Sequence, residues 1–376
     1  MSSLKASASL WQSDFHLNTV FEEQVVVSTF YGHPALPWPQ SGRKCGLWWM
    51  SVQGGLFIRD YSTNTKISRT CAIHSLSSQR QVNFLTIDPL QDLVVIVSLP
   101  IIVTDAEQDY RAFWVECQSA SSQRPHPDSV CASLECKHTF DVRDMYHVDL
   151  IGESAICGDR IFIYYYIENR HAEPAPATFM QVIDWRKGCT KSHLLLDHPQ
   201  GFQHKFHVVN QRTIVAIRSS LITVHTLQEF DESLRPRLTY LLPKRRHLSV
   251  SSIHVSPSFC GTTARTDLMP GHVPSLESQI IVLEFISDSR TPAVILVIDT
   301  VIFSGTALQS ETHVKILWSD WGPQHTRCFP HDPSYKISVI GSKMAYALPQ
   351  GHTPEPGKNS PPRITSTSIS GTSINE

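Results

Sequence analysis

Residues 204–226 read HKFHVVNQRTIVAIRSSLITVHT: three short apolar runs, broken at Asn210-Gln211-Arg212 and at Ser219-Ser220. Runs rich in Val, Ile and Thr suit the pleated surface of a sheet, and short polar breaks suit hairpin turns. His204–Val209, Thr213–Arg218 and Leu221–Thr226 are therefore expected as three consecutive strands. The same pattern repeats outward in both directions. Gly46–Val52 and Leu56–Tyr61 flank Gln53-Gly54-Gly55, and Val82–Asp88 and Asp92–Ser98 flank Pro89-Leu90-Gln91. Asp149–Cys157 and Arg160–Ile167 flank Gly158-Asp159, and Phe179–Trp185 runs into the turn Arg186-Lys187-Gly188. Ser278–Ile286 pairs with Pro292–Ile298, His247–Val255 stands alone, and His313–Trp321, Tyr335–Ile340 and Lys343–Leu348 close the series. No amphipathic helix of about 12 residues or more interrupts it. The fold class is all-β.

The span from Cys45 to Pro349, divided by the roughly 40–45 residues of a four-stranded blade, gives about seven units. The expected architecture is β-propeller-like with six or seven degenerate blades, seven fitting best, and a large sandwich is the alternative. One internal echo supports repetition. Phe57-Ile58-Arg59-Asp60-Tyr61 resembles Gln181-Val182-Ile183-Asp184-Trp185, each an Asp-aromatic ending a strand, where the Asp would satisfy turn amides. Residues 1–21 are expected as a disordered N-terminal segment and 22–349 as the propeller-like domain. Residues 350–376 are dominated by Gly, Pro, Ser and Thr without an aromatic. That composition cannot bury enough apolar surface to offset its ordering entropy, so a disordered tail is expected.

Charge excludes some functions. Lys+Arg number 32 and Asp+Glu 34, a formal net charge of -2. A near-neutral chain has no global field to draw in nucleic acid or anionic lipid. Nine cysteines, none in C-x-x-C spacing, read as mostly reduced thiols. The longest apolar stretches, Leu93–Thr104 and Ala293–Phe303, fall short of the roughly 20 residues that cross a bilayer. The expected localisation is cytoplasmic or nuclear, with no membrane partner.

Five landmarks occur in order: Asp88-Pro89-Leu90-Gln91-Asp92-Leu93, His126-Pro127, Ile151-Gly152 with Gly158-Asp159, Asp184-Trp185-Arg186-Lys187-Gly188, and Trp318-Ser319-Asp320-Trp321-Gly322-Pro323-Gln324-His325-Thr326-Arg327. In this succession they resemble the large F-box protein family of basidiomycete fungi, the last being similar to its Trp-Gly-Pro-x-x-Thr-Arg signature. The resemblance implies a propeller-like recognition region, usually preceded by an F-box that docks the adaptor of a cullin-type ubiquitin ligase. The chain departs from the family at that point. Leu36-Pro37 is followed by Trp38-Pro39, and prolines at 34, 37 and 39 would break a helix. Direct binding to the ligase adaptor is therefore not expected, and the partner is an unidentified protein.

The signature residues Trp318, Trp321, Gly322, Pro323, Thr326 and Arg327 read chiefly as structure, with a strand through Ile316 and Trp318 that Gly322-Pro323 ends. An aromatic binding surface is the functional rival. His193, His198, His204 and His207 match no metal-ligand spacing, and Cys131, Cys136 and His138 form only a weak C-x4-C-x-H cluster. Asp141, Asp144 and Asp149 read as solvated loop charge, as does the basic run Lys244–His247. No G-x-S-x-G, P-loop, G-x-G-x-x-G or H-E-x-x-H is present. The expectation is a non-enzymatic interaction module without cofactor, metal or catalytic residue. The alternative is a propeller enzyme, hydrolase or lyase, with a polar site in a central channel. Val25–Phe30 is expected to pair with a strand from His313–Leu348 and so join the two ends of the domain.

Overall fold

The computed structural model describes residues 40–44, 47–52, 55–60, 68–72, 80–88, 91–104, 110–138, 146–169, 177–196, 205–218, 220–227, 234–243, 248–255, 279–287, 293–303, 313–333, 335–340 and 343–347. These residues are mostly strand and form six separate sheets, taken almost entirely in chain order. The first sheet holds β1 (Gln40–Lys44), β2 (Leu47–Val52), β3 (Gly55–Asp60) and β4 (Ser68–Ala72). The second holds β5 (Val82–Asp88), β6 (Leu93–Ser98), β7 (Ile101–Val103), β8 (Tyr110–Ser119) and β9 (Ser133–His138). In it β6 and β7 pair along the same strand β8, and Leu99-Pro100 separates them.

The third sheet is β10 (Tyr146–Cys157), β11 (Arg160–Asn169), β12 (Ala177–Asp184) and β13 (Cys189–Leu196). The fourth is β14 (Lys205–Asn210), β15 (Thr213–Ile217), β16 (Leu221–Thr226) and β17 (Arg235–Leu241). The fifth begins with β18 (Leu248–Val255), β19 (Ile280–Ser287) and β20 (Val294–Asp299). The chain then crosses back. β21 (Val314–Ile316) joins β17 of the fourth sheet in parallel, helix α1 (Trp318–His325) follows, and β22 (Thr326–Pro330) returns to pair with β20. β23 (Lys336–Ile340) and β24 (Lys343–Ala347) make the sixth sheet. All pairings but β17–β21 are antiparallel.

Side-chain alternation explains how the sheets stack. On β11, Ile161, Ile163 and Tyr165 enter one core while Phe162 and Tyr164 enter another, because successive residues of a strand face opposite sides. On β6, Leu93, Val95 and Val97 face the third sheet and Val94 and Ile96 the first. On β15, Val215 and Ile217 face the fifth and Ile214 the third; on β20, Leu296 and Ile298 face the fourth and Ile295 and Val297 the sixth. Each of the five hydrophobic cores is thus shared by two sheets consecutive in the chain. Strands covered on both faces read as unbroken apolar runs, which is why these were conspicuous in the sequence.

One expectation needs correction. The strand expected over His313–Trp321 ends at Ile316, and the signature begins a helix instead. The helix puts Trp318 and Trp321, three residues apart, on one face, where both meet the core between the fourth and fifth sheets. A strand would have sent them to opposite sides. Among the described residues Cys117, Cys131, Cys136, Cys189 and Cys328 are free, as mostly reduced thiols would be, and Cys157 is disulfide-bonded. Val25–Phe30, Leu36–Pro39, Lys244–His247 and residues 350–376 lie outside the described residues, as does Asp141. No helix among the described residues is long and apolar enough to cross a membrane.

Candidate functional site

Four of the five sequence landmarks, although far apart in the chain, meet at one cluster of turns joining the second and third sheets. Trp185, fully buried, is its centre. Its Nε1–H donates to Gly158 O at 3.2 Å, and its backbone N–H donates to Asp159 O at 3.2 Å. His126 lies edge-on to its ring with centroids 4.9 Å apart. That imidazole uses both nitrogens: Nε2–H donates to Gln91 O at 2.9 Å, and Nδ1 accepts from Asp128 N–H at 3.1 Å. Gln91 Nε2 donates in turn to Asp88 at 3.0 Å and to Gly158 O at 3.1 Å. Ile151-Gly152 stands apart from this knot, within β10.

Each turn in the cluster has a local cause. Asp184 Oδ1 accepts from Lys187 N–H at 3.0 Å, and Gly188 takes the left-handed φ of +70° that closes the turn. Asp92 adopts φ +55°, and its carboxylate accepts from the hydroxyls of Ser119 and Ser121 at 2.5 and 2.6 Å and from Ser121 N–H at 2.8 Å. Over this frame Arg186 reaches Asp159 at 3.3 Å and Asp128 at 3.6 Å. All three side chains are about half exposed, so these ion pairs add little stability. Apart from Gln91 Oε1, which has no partner among the described residues, the buried polar atoms of the knot bond to one another, and it works as a clasp between two sheets.

The signature run builds a second clasp, between the fourth and fifth sheets. Trp321 is buried, and its Nε1–H donates to Leu241 O at 3.1 Å, the last residue of β17. Its ring lies edge-on to Tyr240 at 5.2 Å and to Trp318 at 5.0 Å. Gly322 leaves the room that the Trp318 ring fills, because a Cβ there would stand 2.4 Å from it. Thr326 caps the helix end by donating its hydroxyl to Gly322 O at 2.5 Å. Pro323 is exposed inside the helix, and Arg327 is exposed and donates to the neighbouring Thr326 O at 2.9 Å.

The described members of the titratable clusters read from sequence do not converge, and His198, His204, Asp141 and Asp144 lie outside the described residues. Cys131 packs beside Gly188, while Cys136 is buried and burial pushes its thiol pKa up. His138 is held at about 4 by burial, with Tyr165 and Phe179 beside its ring. His193 on β13 and His207 on β14 are buried on different strands and held at about 4, also by burial. Among the described residues no three His, Cys, Asp or Glu side chains are grouped so as to hold a metal ion. The sequence reading missed two polar sets. One is Glu284, whose carboxylate meets His331 Nε2 at 2.8 Å and His254 Nε2 at 3.3 Å. The other lines the fourth sheet around His225, a polar residue in the middle of an apolar strand and so detectable in principle.

No family model and no curated protein matches the chain. Among solved structures, the complex of the fission yeast SREBP-SCAP binding domains is 8% identical with a TM-score of 0.39, covering 90% of this chain and 98% of that one. A mutant of Synechocystis apocarotenoid oxygenase is 9% identical with a TM-score of 0.35, covering 80% of this chain and 66% of that one. Likeness at these scores carries no argument about mechanism.

Proposed function

We propose that the chain is a propeller-like protein-interaction module, its sheets set radially and its loops offered to a protein partner at one rim. The observation that carries this reading is the serial sharing of cores, each between two sheets consecutive in the chain. Radial blades require that arrangement, since each blade touches only its two neighbours. The first strands of adjacent sheets also approach one another, β1 and β10 against β5, β14 against β10 and β23 against β18. In a ring these would be the strands nearest the axis. The conspicuous residues of the sequence, Trp185, His126, Trp318 and Trp321 among them, are engaged in joining sheets. Such clasps hold a rigid frame from which variable loops can recognise a surface.

The resemblance to the recognition region of fungal F-box proteins gives the direction of the partner: a protein selected for ubiquitin-ligase chemistry, bound without catalysis by this chain. Affinity capture from native lysate tests the reading, scored for the adaptor, cullin and any recurring third protein. A recurring third protein, enriched over a loop-scrambled control, is the expected result. Turnover of a small-molecule substrate by purified protein would overturn it. In calorimetry the purified chain is expected not to bind the ligase adaptor, and micromolar binding would contradict that part.

A further inference from the structure

The face of the fourth sheet that meets the third carries a polar island in an otherwise apolar contact. On β16, Ile222 and Val224 belong to the core shared with the fifth sheet, so Thr223 and His225 between and beyond them face the third. Thr223 stands opposite Thr239 on β17, and Thr239 opposite Lys315 on β21. The two threonine hydroxyls are 3.4 Å apart, and Thr239 Oγ1 is 2.9 Å from Nε2 of His313, just before β21. Arg218, at the turn into β16, and His313 both bear electrostatically on His225.

Among the described residues this island is cationic without a carboxylate counter-charge. Arg218, His225, His313 and Lys315 are all bases, and Tyr164 is the one ionisable group that favours the charge of Arg218. No carboxylate among the described residues does so. The donors are also unspent. Arg218 Nε and both ring nitrogens of His225 are buried with no hydrogen-bond partner among the described residues, and His225 is only 2% exposed. Buried polar groups are nearly always satisfied, because each unmade bond leaves a desolvation penalty uncompensated. The Arg218 Nε–H and the single N–H of neutral His225, joined by a second N–H once that ring is protonated, call for an acceptor that carries negative charge.

We propose that this island is an oxyanion site that takes a phosphate-type group between the third and fourth sheets. Arg218 supplies the charge and a fork of N–H donors suited to such oxygens. His225, His313 and the hydroxyls of Thr223 and Thr239 supply donors from separate strands. Donors spread over separate strands suit a tetrahedral anion better than a planar carboxylate. His225 stands neutral, held at about 4 chiefly by burial and then by the charges of Arg218 and His313. A bound anion would favour its protonated form, so binding takes up a proton and strengthens as the solution is acidified.

The test titrates the full chain with inorganic phosphate and with O-phosphoserine, at ionic strength held constant with chloride, by calorimetry and thermal shift. Saturable binding that raises the melting temperature is expected, weakened at least tenfold by Arg218→Met. Equal affinity for the two probes assigns the site to the free anion, and tighter phosphoserine assigns it to a phosphorylated side chain; both support the proposal. Sulfate, whose charge is fixed over this range, should bind more tightly at pH 5 than at pH 8. If Arg218→Met is insoluble, the exposed His313→Ala carries the comparison, and severalfold weaker binding supports the site. No saturable response beyond chloride, or unchanged affinity in the soluble variants, overturns it.

Discussion

Gly322 is a glycine because of a neighbouring ring, not because of a turn. A Cβ there would press into the indole of Trp318 at 2.4 Å, and that indole stacks edge-on against Trp321. Gly322→Ala should therefore destabilise the protein by about 1–3 kcal/mol, the usual cost of overpacking, partly offset by roughly 1 kcal/mol of helix propensity. Urea unfolding of the two proteins measures it, and an unchanged midpoint would mean that Trp318 swings aside freely. At the other clasp, Trp185→Phe keeps an aromatic against His126 but leaves Gly158 O without the indole N–H. Gly158 O keeps the Gln91 amide N–H, so a loss of about 0.5–1.5 kcal/mol is expected from the one hydrogen bond removed. At this scale the sequence announces which residues matter, since Trp, Gly and Asp at strand ends are legible as packing and turn chemistry. It conceals their geometry. Gly322-Pro323 reads as a strand terminator, yet it sits inside a helix, because burying two indoles on one face outweighs poor local propensity.

Among elements, the fourth sheet and its neighbours hold histidines that should make the fold acid-labile. Burial keeps His193, His207 and His225 at about 4, below the value near 6.5 of an unfolded chain. Between those values the unfolded state binds more protons than the folded one, so stability is lost as pH falls through this window and levels off beneath it. Each such histidine contributes on the order of 1.4 kcal/mol per pH unit. His193 adds a specific contact, since its Nδ1 accepts from Leu234 N–H at 3.2 Å and cannot do so when protonated. The urea midpoint should fall steadily from pH 6.5 to 4.5, with a shallower slope in His207→Phe. A flat profile would mean that these rings reach water. Strands were legible where both faces are apolar, as in β6, β11, β15 and β20. β8 escaped because Glu116, Gln118 and Ser119 are buried within it, with Gln118 donating to Glu116 at 3.4 Å. β13 escaped because its buried face includes His193. β17 begins Arg235-Pro236-Arg237, and Pro236 is accommodated because β21 pairs only with Leu238–Tyr240.

For the whole molecule, stability turns on how the series of sheets ends. Five sheets have four or five strands among the described residues, whereas the sixth has β23 and β24 alone. It packs on the fifth through Val339, Ile337 and Met344 against Ile280, Val282, Ile295 and Val297. A two-stranded sheet left open offers unpaired backbone groups and an apolar face, which together invite aggregation. Ring-shaped folds avoid this when a strand from one chain end completes the sheet at the other. Val25-Val26-Val27-Ser28-Thr29-Phe30 is the strand-like run before β1, and its β-branched residues suit a pleated surface. It is the natural candidate to extend the sixth sheet and carry it toward the first. Deleting residues 1–31 should therefore yield insoluble protein, whereas deleting residues 1–14 should leave solubility and melting temperature unchanged. Equal behaviour of the two truncations would place the closing contact elsewhere. A cysteine pair placed in Val25–Phe30 and in β24 distinguishes the geometries directly: an oxidant should link it in the native protein, and failure to link would leave the series of sheets open at that end.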